Sequence, residues 1–155
     1  MPRALRSIAI LTGLTLGACS SSDTSTPPDI ATTTFAPALQ VDLAASTKLP
    51  SGVYYRDIVV GTGTVVASGQ QLSVSYTGWF PSGGQFDSNA NTNPYSFRLG
   101  THAVIDGWDN GLPGMKVGGR RQLIIPPSQG YGAAGTQGIP GNSILVFNVD
   151  VLGAQ

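Results

Sequence analysis

The chain has 155 residues with eight basic and eight acidic side chains, every acid an Asp, so it lacks the basic excess that a nucleic-acid surface requires. Its length admits one ordinary domain once a leader and a linker are set aside, which excludes a second enzyme domain. With 41% hydrophobic residues, only 10% charged, 21 Gly and 11 Pro, the composition points to short strands and tight turns instead of a helical bundle.

Residues 1–18 read as an export signal. Arg3 and Arg6 form a cationic start, an apolar run too short to span a bilayer follows, and small Gly17 and Ala18 precede Cys19. Leu16-Gly17-Ala18-Cys19 resembles the bacterial lipoprotein lipobox, which implies a lipidated Cys19 anchoring the mature chain to a membrane with its domain outside the cytoplasm. Ser20 in place of Asp fits an outer membrane, on the periplasmic side, if the cell is Gram-negative. The alternative is an ordinary cleaved leader carrying a plain thiol. Cys19 is the only Cys, so no disulfide staples the fold. After Cys19, the stretch to residue 49 is rich in Ser, Thr, Pro and Ala and reads as a flexible tether with a reach of roughly 30 Å. It looks too polar for an amphipathic dimerisation helix, so a monomer is expected.

The folded part is expected over residues 50–155 as α+β, a curled antiparallel sheet of about five strands over one short helix. Residues 53–60 are β-branched and aromatic, and Gly61-Thr62-Gly63 then turns the chain. No third glycine follows at the dinucleotide spacing, which favours a turn over a phosphate loop. In the next strand Leu72, Val74 and Tyr76 share one face, and Ser73, Ser75 and Thr77 the other. Arg121, Leu123 and Ile125 share a face of a later strand that Pro126-Pro127 terminates. Leu145, Phe147, Val149 and Val151 point inward in the last strand, with Asn148 and Asp150 outward. Only 104–112 suits a helix, and Gly107, Gly111 and Pro113 hold it to about two turns.

Tyr76, Phe86, Asp87, Tyr95, Phe97, Val104, Ile105, Trp108, Tyr131, Ile139 and Phe147 form an aromatic and branched series broken by one acid. A hollow built from them suits a neutral ring better than a phosphate, a metal or a sugar, which makes a prolyl peptide the leading ligand. No nucleophile pattern surrounds the single His102, and no Cys/His cluster has metal spacing, so neither metal nor cofactor is expected. Taken alone, Trp108 and Phe147 also read as core, Asp87 as a turn residue, and His102 as solvated. Asp106 and Asp109 suit a helix start, and Arg120-Arg121 suit surface and packing positions.

Val74-Ser75-Tyr76-Thr77-Gly78, Phe86-Asp87-Ser88, Val104-Ile105-x-Gly107-Trp108, the run from Gly114 to Arg121, Pro126, Tyr131-Gly132 and Leu145-Val146-Phe147 resemble the FKBP-type peptidyl-prolyl isomerases over residues 49–152. The resemblance implies a sheet curled around the helix, with Trp108 as the floor for a proline ring and Tyr76, Phe86, Phe97, Val104 and Phe147 as walls. Tyr95, where the family usually has Phe, adds a polar edge, and Ile139 belongs to a loop wall. The Ile105 N–H and Tyr131 hydroxyl would hold substrate carbonyls, and Asp87, bonded to Tyr76, would face the rotating amide. Tacrolimus or rapamycin would compete for the pocket. A non-catalytic chaperone or adaptor lipoprotein using the same pocket to hold proline segments is the alternative.

Overall fold

The computed structural model describes residues 26–90 and 92–155. The export signal and Cys19 lie outside the described residues, as does Asn91. Seven strands, two more than expected, form one sheet: β1 (Thr47–Lys48), β2 (Tyr54–Val59), β3 (Gln71–Trp79), β4 (Gln85–Ser88), β5 (Tyr95–Arg98), β6 (Arg120–Ile125) and β7 (Leu145–Ala154). The order is β1-β2-β6-β7-β3-β4, with β5 pairing the other end of β3, and every pairing is antiparallel. The single α-helix among the described residues, α1 (Asp106–Gly111), crosses the concave face.

Period-two alternation decides what each face carries. Leu123 opposes Phe147, and Phe147 opposes Gly78, making one inward row across β6, β7 and β3. Arg121, Val149 and Tyr76 make the next. Leu72, Val74, Leu123, Ile125, Leu145, Val149 and Val151 are fully enclosed beneath α1, as the alternation predicts. The helix can lie this close because a Cβ on Gly107 would sit 2.7 Å from the Ile125 Cδ1, and one on Gly111 2.7 Å from a Leu123 methyl. It is shorter than expected: Val104 stays outside it, and Ile105 is an N-cap residue in extended conformation. Arg121 is buried, doubly bonded to Asp57 at 2.6 and 2.9 Å, donating to the Gly111 and Pro113 carbonyls, and stacked 4.2 Å from the Tyr55 ring. It ties the end of α1 to the sheet.

The expectation of a flexible tether up to residue 49 is corrected. Two short 3-10 turns, Ile30–Thr32 and Pro37–Leu39, precede β1, and Ile30 and Leu39 are buried against the outer face of the sheet. They cover a second apolar row running across four strands, Tyr54, Ile124, Val146 and Trp79, each opposed to the next in register. The row beside it is polar: Gln122 donates to the Leu39 carbonyl at 2.8 Å, and Arg56 to the Gln40 carbonyl at 2.6 Å. The folded unit therefore reaches back at least to Asp29, whose carboxylate caps the first turn through the Ala31 N–H. Irregular apolar spacing among Ser, Thr and Pro hid this segment from a reading based on periodicity.

Candidate functional site

A cavity of about 400 Å³ opens where β3, β4, the start of β7, the N-terminal end of α1 and the loop between β6 and β7 converge. Trp108, on the first turn of α1, lies 4% exposed at its base, with Tyr76 and Phe147 edge-on to the indole at 5.1 and 5.4 Å. These T-shaped contacts suit ring quadrupoles and hold the indole rigid.

β3 and β4 supply one wall through a break in their pairing. Asp87 opposes Gly78 while Gln85 opposes Trp79, leaving Phe86 as an extra residue in β4. Regular alternation would send Phe86 and Asp87 to opposite faces; the bulge re-aims them, and both line the cavity. Gly78 makes room, since a Cβ there would meet the Phe86 and Phe147 rings at 2.7 Å. The Tyr76 hydroxyl donates to Asp87 Oδ2 at 2.6 Å. Burial first, then the bond to Asp87 and its charge, push the Tyr76 phenol well above its ordinary value. Asn89 secures the strand end, accepting from the Tyr76 N–H at 2.7 Å and donating to the Val74 carbonyl at 3.1 Å. A polar residue in a loop gives no sequence signal for that role.

The opposite wall is the loop after β6. Gln137-Gly138 forms a tight turn in which Thr136 and Ile139 exchange backbone bonds of 2.9 Å, turning buried Ile139 toward the cavity. Tyr131 stands at the mouth, 37% exposed; burial, then the charge of Asp87, raise its phenol above the ordinary value. Its hydroxyl has no hydrogen-bond partner among the described residues. The same holds for the N–H of Ile105, since the extended N-cap precedes the helix ladder. One free N–H and one neutral phenol thus border an apolar base, with a carboxylate across the cavity.

Of the expected residues, Tyr76, Phe86, Asp87, Tyr95, Val104, Ile105, Trp108, Tyr131, Ile139 and Phe147 all line this cavity. Phe97 is corrected: it lies behind the wall, stacked on Tyr95 at 5.6 Å and tilted against Trp108 at 5.6 Å. Its inward position on β5 puts it in the core, where it backs both rings. Ala103, Thr136, Gln137 and Gly138 also border the cavity and were not expected. Asp109 reaches back to accept from the Gly100 and His102 N–H groups at 2.8 and 3.0 Å, holding the turn that leads into Ala103. His102 is exposed and paired with Asp106 at 2.9 Å.

An enclosed aromatic base with polar groups only at its rim defines a binding site for a small apolar ring on a polar backbone. The family model for FKBP-type peptidyl-prolyl cis-trans isomerase matches residues 63–152. FK506-binding protein 4 of Gibberella zeae is 45% identical over 109 residues, covering 70% of this chain and 22% of that protein. FK506-binding protein 4 of Dictyostelium discoideum is 46% identical over 105 residues, covering 67% and 29%. The chain thus spans less than a third of the length of either relative. Among solved structures, AtFKBP13 matches with a TM-score of 0.67 at 36% identity, covering 71% of this chain and 98% of that one. FkpA from Escherichia coli matches with a TM-score of 0.67 at 38% identity, covering 72% and 52%. The chain belongs to the FKBP-type peptidyl-prolyl cis-trans isomerase family.

Proposed function

We propose that this chain is a peptidyl-prolyl cis-trans isomerase acting without a cofactor on X–Pro bonds of unfolded or extended polypeptides outside the cytoplasm. The observation that carries the reading is the Trp108 base bordered on one side by the Tyr76–Asp87 pair and on the other by Tyr131. Rotation about an X–Pro bond faces a barrier of about 18–20 kcal/mol because resonance gives the C–N bond double-bond character. The resonance form is charge-separated, so an apolar cavity disfavours the planar imide more than the twisted, less polar transition state. The proline ring rests on Trp108 among Tyr76, Phe86 and Phe147, while the Ile105 N–H and Tyr131 hydroxyl hold carbonyl oxygens on either side of the turning bond. Asp87 faces the rotating amide, and Tyr76 fixes its carboxylate. Each 1.4 kcal/mol taken from the barrier gives about tenfold in rate.

Exchange spectroscopy of a proline peptide tests the reading. Catalytic quantities of the chain bring cis–trans cross-peaks, and tacrolimus or rapamycin abolishes them; peptide binding without exchange would leave a proline-binding chaperone or adaptor. The uncatalysed reaction takes roughly 10–100 s, slow enough to limit folding of exported polypeptides.

The same proposal makes the protein a monomer, supported by the polar composition after Cys19, and anchors it through lipidated Cys19 in a bacterial envelope, supported by the Leu16–Cys19 pattern alone. Because Asp29 is already part of the folded unit, the roughly ten residues between Cys19 and it reach at most about 35 Å even if fully extended. The domain would work close to the membrane surface. Mass spectrometry of the mature amino terminus decides the lipid, an unmodified or retained Cys19 overturning it.

A further inference from the structure

The segment 29–48 touches no part of the cavity, yet it is fastened behind both of the cavity's polypeptide walls. On one side the Ala36 N–H donates to the Pro81 carbonyl at 2.8 Å, in the turn that joins β3 to β4, and Ala36 packs against Gly83. That turn carries Phe80, whose ring lies 5.0 Å from Phe86, and it leads directly into the bulge that aims Phe86 and Asp87. On the other side Ile30 and Leu39 share a buried cluster with Ile144, where the loop bearing Tyr131 and Ile139 rejoins the sheet. The segment therefore bridges the roots of the two walls from the face of the sheet opposite the cavity.

A bulged strand end and a long loop are the least restrained parts of such a site, because neither is held by a continuous ladder of hydrogen bonds. We propose that residues 29–48 are a positioning strap, setting the separation between the Phe86–Asp87 wall and the Tyr131–Ile139 wall from the opposite face of the sheet. The sheet's outer surface is built to receive it: the apolar row of Tyr54, Ile124, Val146 and Trp79 lies beneath it, and Arg56 and Gln122 grip its carbonyls at the border. Displacement of the strap widens or loosens the pocket without altering a residue in it. This rests on the isomerase reading for its effect on rate, but not for its effect on geometry.

Two substitutions in the full chain separate positioning from plain stabilisation. Leu39→Ser weakens the strap's burial. Ala36→Pro removes the N–H given to Pro81 at a position whose φ of −60 already matches the angle a proline ring imposes. Each is followed by denaturant unfolding, by amide chemical shifts, and by kcat/KM on a proline peptide. In both variants the shifts of Phe86, Asp87 and Ile139 should move while Ile105 and Gly107, which α1 holds, stay in place. The rate should fall about threefold or more, and Leu39→Met should restore it. Lower stability with unmoved Phe86 and Asp87 signals would overturn the proposal, as would shifts spread equally through α1. If Leu39→Ser does not fold, Ala36→Pro decides alone. If the unaltered chain shows no isomerisation, the shifts still decide the strap, and that failure belongs to the catalytic reading.

Discussion

The Tyr76 hydroxyl and the Asp87 carboxylate meet at 2.6 Å across the junction of β3 and β4, and the bulge that leaves Phe86 unpaired is what brings them together. The bond spans eleven residues of sequence and fixes the one acid that borders the cavity. Removing either partner should act on rate more than on fold, because Asp87 is exposed at the mouth and remains solvated. Asp87→Ala is expected to lower kcat/KM about tenfold, corresponding to about 1.4 kcal/mol of lost transition-state stabilisation. Tyr76→Phe should cost less, and the double variant should cost less than the sum of the two. Additive losses would show that the pair does not work as a unit.

The two raised phenols set a pH dependence. Tyr76 and Tyr131 both titrate above the ordinary 10.0, chiefly because burial penalises the phenolate. The neutral donor at Tyr131 therefore persists as pH rises through 10, and the isomerisation rate should show no loss from its ionisation there. Stability behaves differently. The contribution of these phenols is complete below about pH 10, and it is lost above that as the unfolded chain ionises first while the native sites resist. Absorbance titration at alkaline pH, comparing Tyr131→Phe with the unaltered chain, measures the shift; a midpoint for Tyr131 equal to that of a free phenol would refute it.

Gly78→Ala tests the close approach on β3. The added methyl meets the Phe86 and Phe147 rings together, and neither ring can move without opening the aromatic wall. A loss of about 1–3 kcal/mol of stability is expected from overpacking, read by denaturant midpoint. A larger proportional loss of peptide affinity should accompany it. Unchanged binding would mean that the rings have slack.

Asp57→Ala leaves the buried Arg121 guanidinium without its countercharge, although the Gly111 and Pro113 carbonyls still accept from it. Asp57 is itself a third exposed, so the cost should fall near or below the lower end for a broken buried pair, about 3 kcal/mol. Thermal unfolding reads this loss. If the pocket binds tacrolimus as proposed, the folded fraction should bind it as the unaltered chain does, since Arg121 lies at the far end of α1 from Ile105.

Much of this molecule is legible in its sequence. The faces of β3, β6 and β7 follow from alternation alone, because a one-residue slip would have exposed Leu123, Phe147 and Val149 together. Ten of the eleven expected pocket residues line the cavity, and Phe97 sits one layer behind it because its place on β5 carries it inward. The partners of Asn89, Asp109 and Arg121 are not legible in the sequence: each acts through backbone or ion-pair groups that come near only once the chain has turned.

The amino-acid order by itself determined which side chains enter the core, where α1 must end and which aromatic residues can surround a ring, since all three depend on local period and on glycine and proline placement. Tertiary structure alone decided how the consecutive residues Phe86 and Asp87 come to face the same hollow, and that Ile30 and Leu39 belong to the folded unit. The first requires an unpaired residue in a strand, visible only against its partner. The second requires an apolar row assembled from four strands, and no single stretch of sequence contains it.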